Sequence, residues 1–177
     1  MIWFRQVDPR RPFLWESPRQ IPGRWHAAGE GPVQYLSDTP DGAWAEFLRH
    51  EGIDDPTRLS VVRRRLWAVE VPENSERIGR PRLFARTVRG GLETYPACQE
   101  EARRLRRRGV TAVEAPTAGL VAGGARGQTV RGRHLVEAPP RDGRTLALFG
   151  VRRELRGWTC ADEAGPSQRV LALVNHL

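Results

Sequence analysis

The chain has 177 residues, 39% of them hydrophobic, with 18 glycines and 14 prolines. That length suits a single domain that buries its core without disulfides or a structural metal, and so turn-rich a composition excludes a helix bundle in favour of an α+β domain with long connections. The formal net charge of +8 comes from 29 basic residues, every one an arginine. With no nucleic-acid motif or interleaved aromatics beside it, this charge points to an acidic protein partner or a small anionic ligand rather than direct nucleic-acid binding.

In chain order, the first twenty-two residues are Pro- and Arg-rich and predict an irregular lead-in with one short strand at Ile2–Val7. Gly23-Arg24-Trp25-His26 is expected to open a strand, and Gly29, Gly31 and Pro32 mark a turn. Val33–Ser37 alternates apolar and polar residues, as a half-buried strand does. Asp38 or Thr39 then caps a helix, Pro40 suits its first turn, and Asp41 complements the positive end of its dipole. Ala43, Trp44, Phe47 and Leu48 fall at helical spacing, and Glu46 sits at the edge of that apolar face.

Further on, Leu66–Val71 reads as a strand, and residues 73–93 give no firm pattern. Tyr95–Arg108 predicts a helix with Glu100 and Glu101 early and arginines late, ended by Gly109. The arginines at 103–108 read as its solvated face. Val110–Ala115, Thr145–Gly150 and Gln168–Val174 read as strands. The Gly- and Arg-rich segment 119–143 is the loosest part and a candidate flap over a site.

Cys98 and Cys160 make no disulfide framework or metal motif, and the four histidines lack ligand spacing, so no metal is expected. Cys98 reads as a small buried residue without a catalytic role. The N-terminus does not resemble a signal peptide, and no window approaches the ~20 apolar residues of a membrane helix. A cytoplasmic location away from membranes is the expectation.

Four segments stand in a suggestive order: GRWH at 23–26, QYLSDTPDGAWAE at 34–46, YPACQEEARRL at 95–105, and APTAGL at 115–120 followed by LALF. Arg24, Tyr35 and Glu46 are spaced by equal eleven-residue steps. In this order the segments resemble the RES domain over roughly residues 20–150. The resemblance implies one domain over 1–177, an ADP-ribosyltransferase-like mixed β-sheet core with flanking helices, to which the extension 151–177 is expected to add a strand. It implies an NAD+-degrading toxin of a RES–Xre type toxin–antitoxin system, with NAD+ as substrate, inorganic phosphate as a candidate co-substrate, and an Xre-like antitoxin as partner. Homo-oligomers and toxin–antitoxin hetero-oligomers both stay open.

The residue chemistry suits that reading. Breaking the nicotinamide–ribose bond creates an oxocarbenium-like transition state that a carboxylate stabilises, a role for Glu46. Arg24 offers a fork for the pyrophosphate, and Tyr35 a flat ring with one directed hydroxyl. Together these are the expected catalytic residues, with Arg24, Tyr35, Thr117 and His26 expected to bind the dinucleotide. Thr117 stands where the family has serine, adding a methyl group beside the ligand, and His26 stands where asparagine is common. Taken singly each residue has a plainer reading; Glu46, for instance, would pair with Arg49 or His50 one turn away. Two alternatives share the fold: protein ADP-ribosylation at the same site, and a catalytically silent binding module.

Overall fold

The computed structural model describes residues 1–176. One mixed sheet of seven strands runs in the order β4-β5-β8-β2-β1-β3-β9. Its strands are β1 (Ile2–Val7), β2 (Val33–Ser37), β3 (Arg64–Glu70), β4 (Ile78–Gly79), β5 (Ala112–Pro116), β8 (Arg144–Phe149) and β9 (Arg156–Ala164). Among the strand pairs of the described residues, β4 with β5 is the one that runs parallel. A separate exposed hairpin is made by β6 (Gln128–Arg131) and β7 (His134–Glu137). Helices α1 (Pro40–His50), α2 (Pro56–Leu59), α3 (Ala85–Arg89), α4 (Tyr95–Arg107) and α5 (Gln168–Leu171) complete the α+β domain.

The sheet is not evenly zipped. β1 pairs with β3 along its whole length, and β2 pairs with β8 along its whole length. Between β1 and β2 there is one paired position, Phe4 with Ser37. Beyond it the lead-in segment takes over the edge of β2 through two side-chain amides. Gln20 bonds both ways with the Val33 backbone, at 2.7 and 2.9 Å, and the buried Gln34 bonds both ways with the Trp15 backbone, at 2.5 and 2.9 Å. These amides satisfy groups that a neighbouring strand would otherwise satisfy. The parting of β1 from β2 positions the functional cleft.

Three apolar clusters lock the layers. One packs α1, α2 and α5 together with Leu66 of β3. A second packs Cys98, Ala102 and Leu105 of α4 and Val88 of α3 on Val33, Val113, Ala115, Ala147 and Phe149 of the sheet. The third gathers Trp3, Leu36, Val69, Leu146 and Leu148, covered by Phe13 and Leu14 of the lead-in. Phe13 stacks on Trp67 with ring centroids 4.9 Å apart.

α1 begins as the sequence predicts. Thr39, not Asp38, is its cap, accepting from the Gly42 N–H at 3.0 Å. α4 ends at Gly109, whose φ of 78° suits glycine. Two predicted strands are replaced. GRWH is a tight turn closed by reciprocal bonds between Gly23 and His26, so its backbone groups bond within the segment and not to a neighbouring strand. Gln168–Val174 holds the short helix α5, capped by Ser167. Its buried Val170, Leu171 and Val174 follow helical spacing, and an apolar run this short does not by itself distinguish helix from strand. The segment 119–143 carries the β6–β7 hairpin, and no hairpin residue lines the cleft, so its placement is not that of a flap.

Candidate active site

A cavity of about 1140 Å³ opens where β1 and β2 part, lined by Tyr35, Glu46, Arg49, Tyr95, Ala118 and Thr145 among others. This is somewhat above the roughly 300–1,000 Å³ usual for ligand pockets.

Glu46 projects from the half-buried flank of α1. One carboxylate oxygen, Oε1, accepts from the hydroxyls of Thr117 and Thr145 (the latter at 3.1 Å) and from the N–H groups of Ala118 (3.2 Å) and Gly119 (3.1 Å). Among the described residues, no donor engages Oε2. The carboxylate is therefore fixed by one oxygen with the other left for a ligand. Glu46 pairs with neither Arg49 nor His50.

Thr117 is 2% exposed and sits behind Glu46 rather than in the cavity wall. Its hydroxyl positions the carboxylate. Its extra methyl, Cγ2, lies 2.7 Å from where a Cβ on Gly143 would be, so the methyl fills the space that this glycine leaves and stays clear of the cleft. Thr117→Ser should accordingly keep activity within about threefold. Thr117→Val removes the hydroxyl from a charged acceptor, worth about 1.5–3 kcal/mol, and should lower turnover by roughly tenfold to a hundredfold. Steady-state kinetics on the two variants tests this pair.

Tyr35 stands on β2 with its hydroxyl accepting from the Trp25 N–H at 2.9 Å and lying 2.9 Å from His26 Nδ1. A Cβ on Gly23 would sit 2.6 Å from that hydroxyl, so the first residue of the GRWH turn must be small. Burial pushes the Tyr35 phenol well above its ordinary value, keeping it neutral. His26 is fully buried, and burial likewise holds it below its ordinary value of 6.5, as a neutral imidazole. The Nδ1–hydroxyl contact ties the two rings together, with the donor set by the imidazole tautomer. The contact of His26 is therefore with Tyr35, which it orients.

A pH effect follows from this burial. Below pH 6.5 the unfolded chain protonates His26 while the folded chain resists it, so stability is complete above 6.5 and falls as pH drops below it. One such proton accounts for at most roughly 1.4 kcal/mol per pH unit. Melting temperatures from pH 7 to 5 should fall less steeply in His26→Asn than in the wild type.

Arg24 is 8% exposed and stacks over the Tyr95 ring at 4.8 Å. Its guanidinium donates to the carbonyls of Thr87 (3.3 Å) and Gly90 (2.7 Å) and to the Thr94 hydroxyl (3.0 Å). The end expected to grip a pyrophosphate is thus largely spent on the turn between α3 and α4, which Arg24 fastens to the cleft.

Several contributors were not foreseen. Arg49, buried on α1, donates to the carbonyls of Arg89 (3.0 Å), Gly90 (2.8 Å) and Asn175. Burial lowers its pKa, and neighbouring Glu46 partly offsets this. Arg24 and Arg49 thus converge on the Gly90 carbonyl, while Arg89 donates to the Leu120 carbonyl, and among the described residues none of the three has a carboxylate partner. Thr145 lies one strand away from Tyr35. Gly119 touches α1 directly. Gln99 explains the Cys-Gln pair of α4: its amide donates to the carbonyls of Gly23 (2.9 Å) and His26 (3.2 Å) and clamps the GRWH turn. Cys98 is fully buried, and burial pushes its thiol up. Gln99 and Gly119 were signalled only by their places in the segments YPACQEEARRL and APTAGL, and the burial of Cys98 was expected.

Comparison with known proteins fits this geometry. The family model described as the RES domain matches residues 3–125. The chain belongs to the RES domain family. The match begins in β1, includes Arg24, Tyr35, Glu46 and Thr117, and stops before Thr145 on β8. A relative from Mycobacterium tuberculosis named "Probable NAD(+) phosphorylase" is 46% identical over 54 residues, which is 30% of this chain and 26% of the relative. The matched segment thus spans about a quarter of that relative's length. A chain of the crystal structure of the M. tuberculosis MbcT–MbcA toxin–antitoxin complex shares the fold, with a TM-score of 0.58 at 15% identity over 90% of this RES protein and 84% of that chain. No helix among the described residues is long and apolar enough to cross a membrane.

Proposed function

We propose that this RES domain protein cleaves the nicotinamide–ribose bond of NAD+ as the toxin of a toxin–antitoxin pair, with inorganic phosphate as the preferred acceptor. The observation that carries the proposal is the Glu46 carboxylate, fixed at Oε1 by four donors on the wall of a cavity large enough for a dinucleotide. As the glycosidic bond breaks, positive charge grows on the ribose. A carboxylate already held in place stabilises that charge without reorganising, which is where electrostatic catalysis is strongest. Tyr35 offers a flat neutral ring beside it.

Arg24 and Arg49 line the cavity with their donors engaged by protein groups, and so add positive potential toward a second anion without gripping it. In phosphorolysis a phosphate oxygen bonds to the ribose carbon while the carbon–nitrogen bond breaks, and nicotinamide leaves with the electron pair as a neutral molecule. The name of the mycobacterial relative supports the phosphate acceptor, and the toxin–antitoxin neighbour supports a protein partner. A net charge of +8 favours an antitoxin with an acidic contact face, of Xre-like type.

The test is to incubate purified protein with NAD+, with and without phosphate, and to identify the products. Phosphate-dependent nicotinamide release with a phosphorylated ADP-ribose supports the proposal. Release without phosphate means water is the acceptor. Label passing from NAD+ to a lysate protein means protein ADP-ribosylation. No NAD+ loss in any arm sinks the proposal.

A further inference from the structure

We infer that a second pocket, separate from the cleft, binds a phosphate group on Arg86 and Arg89, and that its occupation steadies the loop that cradles Glu46. Anion binding there does not depend on the NAD+ reading of the cleft.

The pocket holds about 540 Å³ and is lined by Arg86 and Arg89 of α3 and by Val121, Ala122 and Asn175. None of its residues lines the larger cleft. Arg86 and Arg89 stand three residues apart on α3, so their side chains share a face of the helix. Arg86 makes no hydrogen bond among the described residues and lies over the Phe84 ring, 5.3 Å from its centroid. Arg89 donates from Nη2 to the Leu120 carbonyl at 2.6 Å, which leaves Nε and Nη1 without a partner among the described residues. No acidic residue lines the pocket, and among the described residues neither arginine has a carboxylate in ion-pair range.

Two like charges one turn apart repel each other. An anion between them removes that repulsion and takes charge-assisted bonds from both. A carboxylate has two oxygens, which a single guanidinium fork fills; a phosphate has oxygens enough to bridge two. The carbonyls at a helix C-terminus ordinarily disfavour an anion. Here those of Thr87, Arg89 and Gly90 are already taken up by Arg24 and Arg49, at 2.7–3.3 Å. Arg24 and Arg49 thus neutralise this wall, while Arg86 and Arg89 keep donors for a ligand.

One loop serves both pockets. The N–H groups of Ala118 and Gly119 hold Glu46 Oε1, the Leu120 carbonyl is held by Arg89, and Val121 and Ala122 line the second pocket. Asn175 braces the loop, its side chain donating to the Ala118 carbonyl at 3.0 Å and its N–H to the Gly119 carbonyl at 2.8 Å. A phosphate that fixes Arg89 therefore fixes Leu120, next to the donors that position Glu46. It lies outside the cleft, so it is not the phosphate that reacts with the ribose.

The experiment is a titration of the intact protein with inorganic phosphate, followed by NMR at arginine side chains and backbone amides, with ionic strength held constant by chloride. Wild type should show saturating shifts at Arg86, Arg89 and Ala122. Arg86→Gln changes an exposed side chain and should weaken this binding by roughly tenfold to a hundredfold, as loss of charge-assisted bonds does. Arg108→Gln removes an equal charge at the end of α4 and should leave the affinity within about twofold, since screening mutes distant charges. Hydrogen exchange at Ala118 and Gly119 should slow on saturation in wild type. A parallel titration with ribose 5-phosphate identifies the source: tighter binding than inorganic phosphate assigns the site to a phosphorylated metabolite, equal or weaker binding to the free ion. Shifts that never saturate, or equal weakening in Arg86→Gln and Arg108→Gln, mean an adventitious ion only and overturn the site. Saturation with unchanged exchange at Ala118 and Gly119 overturns the link to Glu46.

Discussion

Glu46→Gln is expected to lower NAD+ cleavage by roughly a hundredfold to a thousandfold, the scale of losing one preorganised electrostatic contact to a transition state. Glutamine has the same shape, and its carbonyl oxygen can accept the bonds now made by Thr117, Thr145, Ala118 and Gly119 to Oε1. What disappears is the negative charge that the proposed reaction sets against the ribose. The loss should therefore fall on kcat with little change in KM or in melting temperature. A matched fall in melting temperature would instead make Glu46 a structural clasp between α1 and the segment after β5. Steady-state kinetics and a thermal melt on the same preparation distinguish the two.

Gly119→Ala should have the largest effect on stability. A Cβ there would lie 2.6 Å from the Glu46 backbone nitrogen and 2.9 Å from the Ala45 carbonyl carbon and the Glu46 Cα. All three are backbone atoms inside α1, so the clash is relieved only by moving the helix or the loop. Overpacking of this kind costs about 1–3 kcal/mol, occasionally more, which for a domain of this size lowers the melting temperature by roughly 2–12 °C. Activity should fall as well, because the displacement parts the N–H groups of Ala118 and Gly119 from Oε1. A melt indistinguishable from wild type would show that the contact between this loop and α1 is looser than the structure has it.

Local signals were legible where short-range chemistry decides the structure. Thr39, Pro40 and Asp41 announce α1, and the spacing of Ala43, Trp44 and Leu48 shows which face it buries. The alternation in Val33–Ser37 and the helix stop at Gly109 were equally plain. Elements decided by distant contacts were not. β4 is two residues long and exists by pairing with Ala112 and Val113, so residues 73–93 carry no local signature of it. GRWH is bent into a turn by Gln99, seventy-odd residues away.

The site divides in the same way. The residue order exposed Glu46, Tyr35 and the proline–threonine step. It could not show that Thr117 packs behind Glu46, that His26 lies against the Tyr35 hydroxyl on the cavity wall, that Arg24 spends its donors on two carbonyls and the Thr94 hydroxyl, or that Thr145 completes the carboxylate cradle from another strand. Nor could it show that Gly143 accommodates the threonine methyl, which removes the reason for treating Thr117 as a sign of a silent site.

The most direct test of the proposed site is a crystal structure of Glu46→Gln grown with saturating NAD+, since this variant should bind the substrate without consuming it. The expected result is NAD+ in the opening between β1 and β2, with its nicotinamide-bearing ribose within about 3 Å of residue 46, a normal hydrogen-bond distance. NAD+ bound elsewhere, or an empty cleft in a variant whose wild type consumes NAD+, would contradict the assignment of the reaction to Glu46.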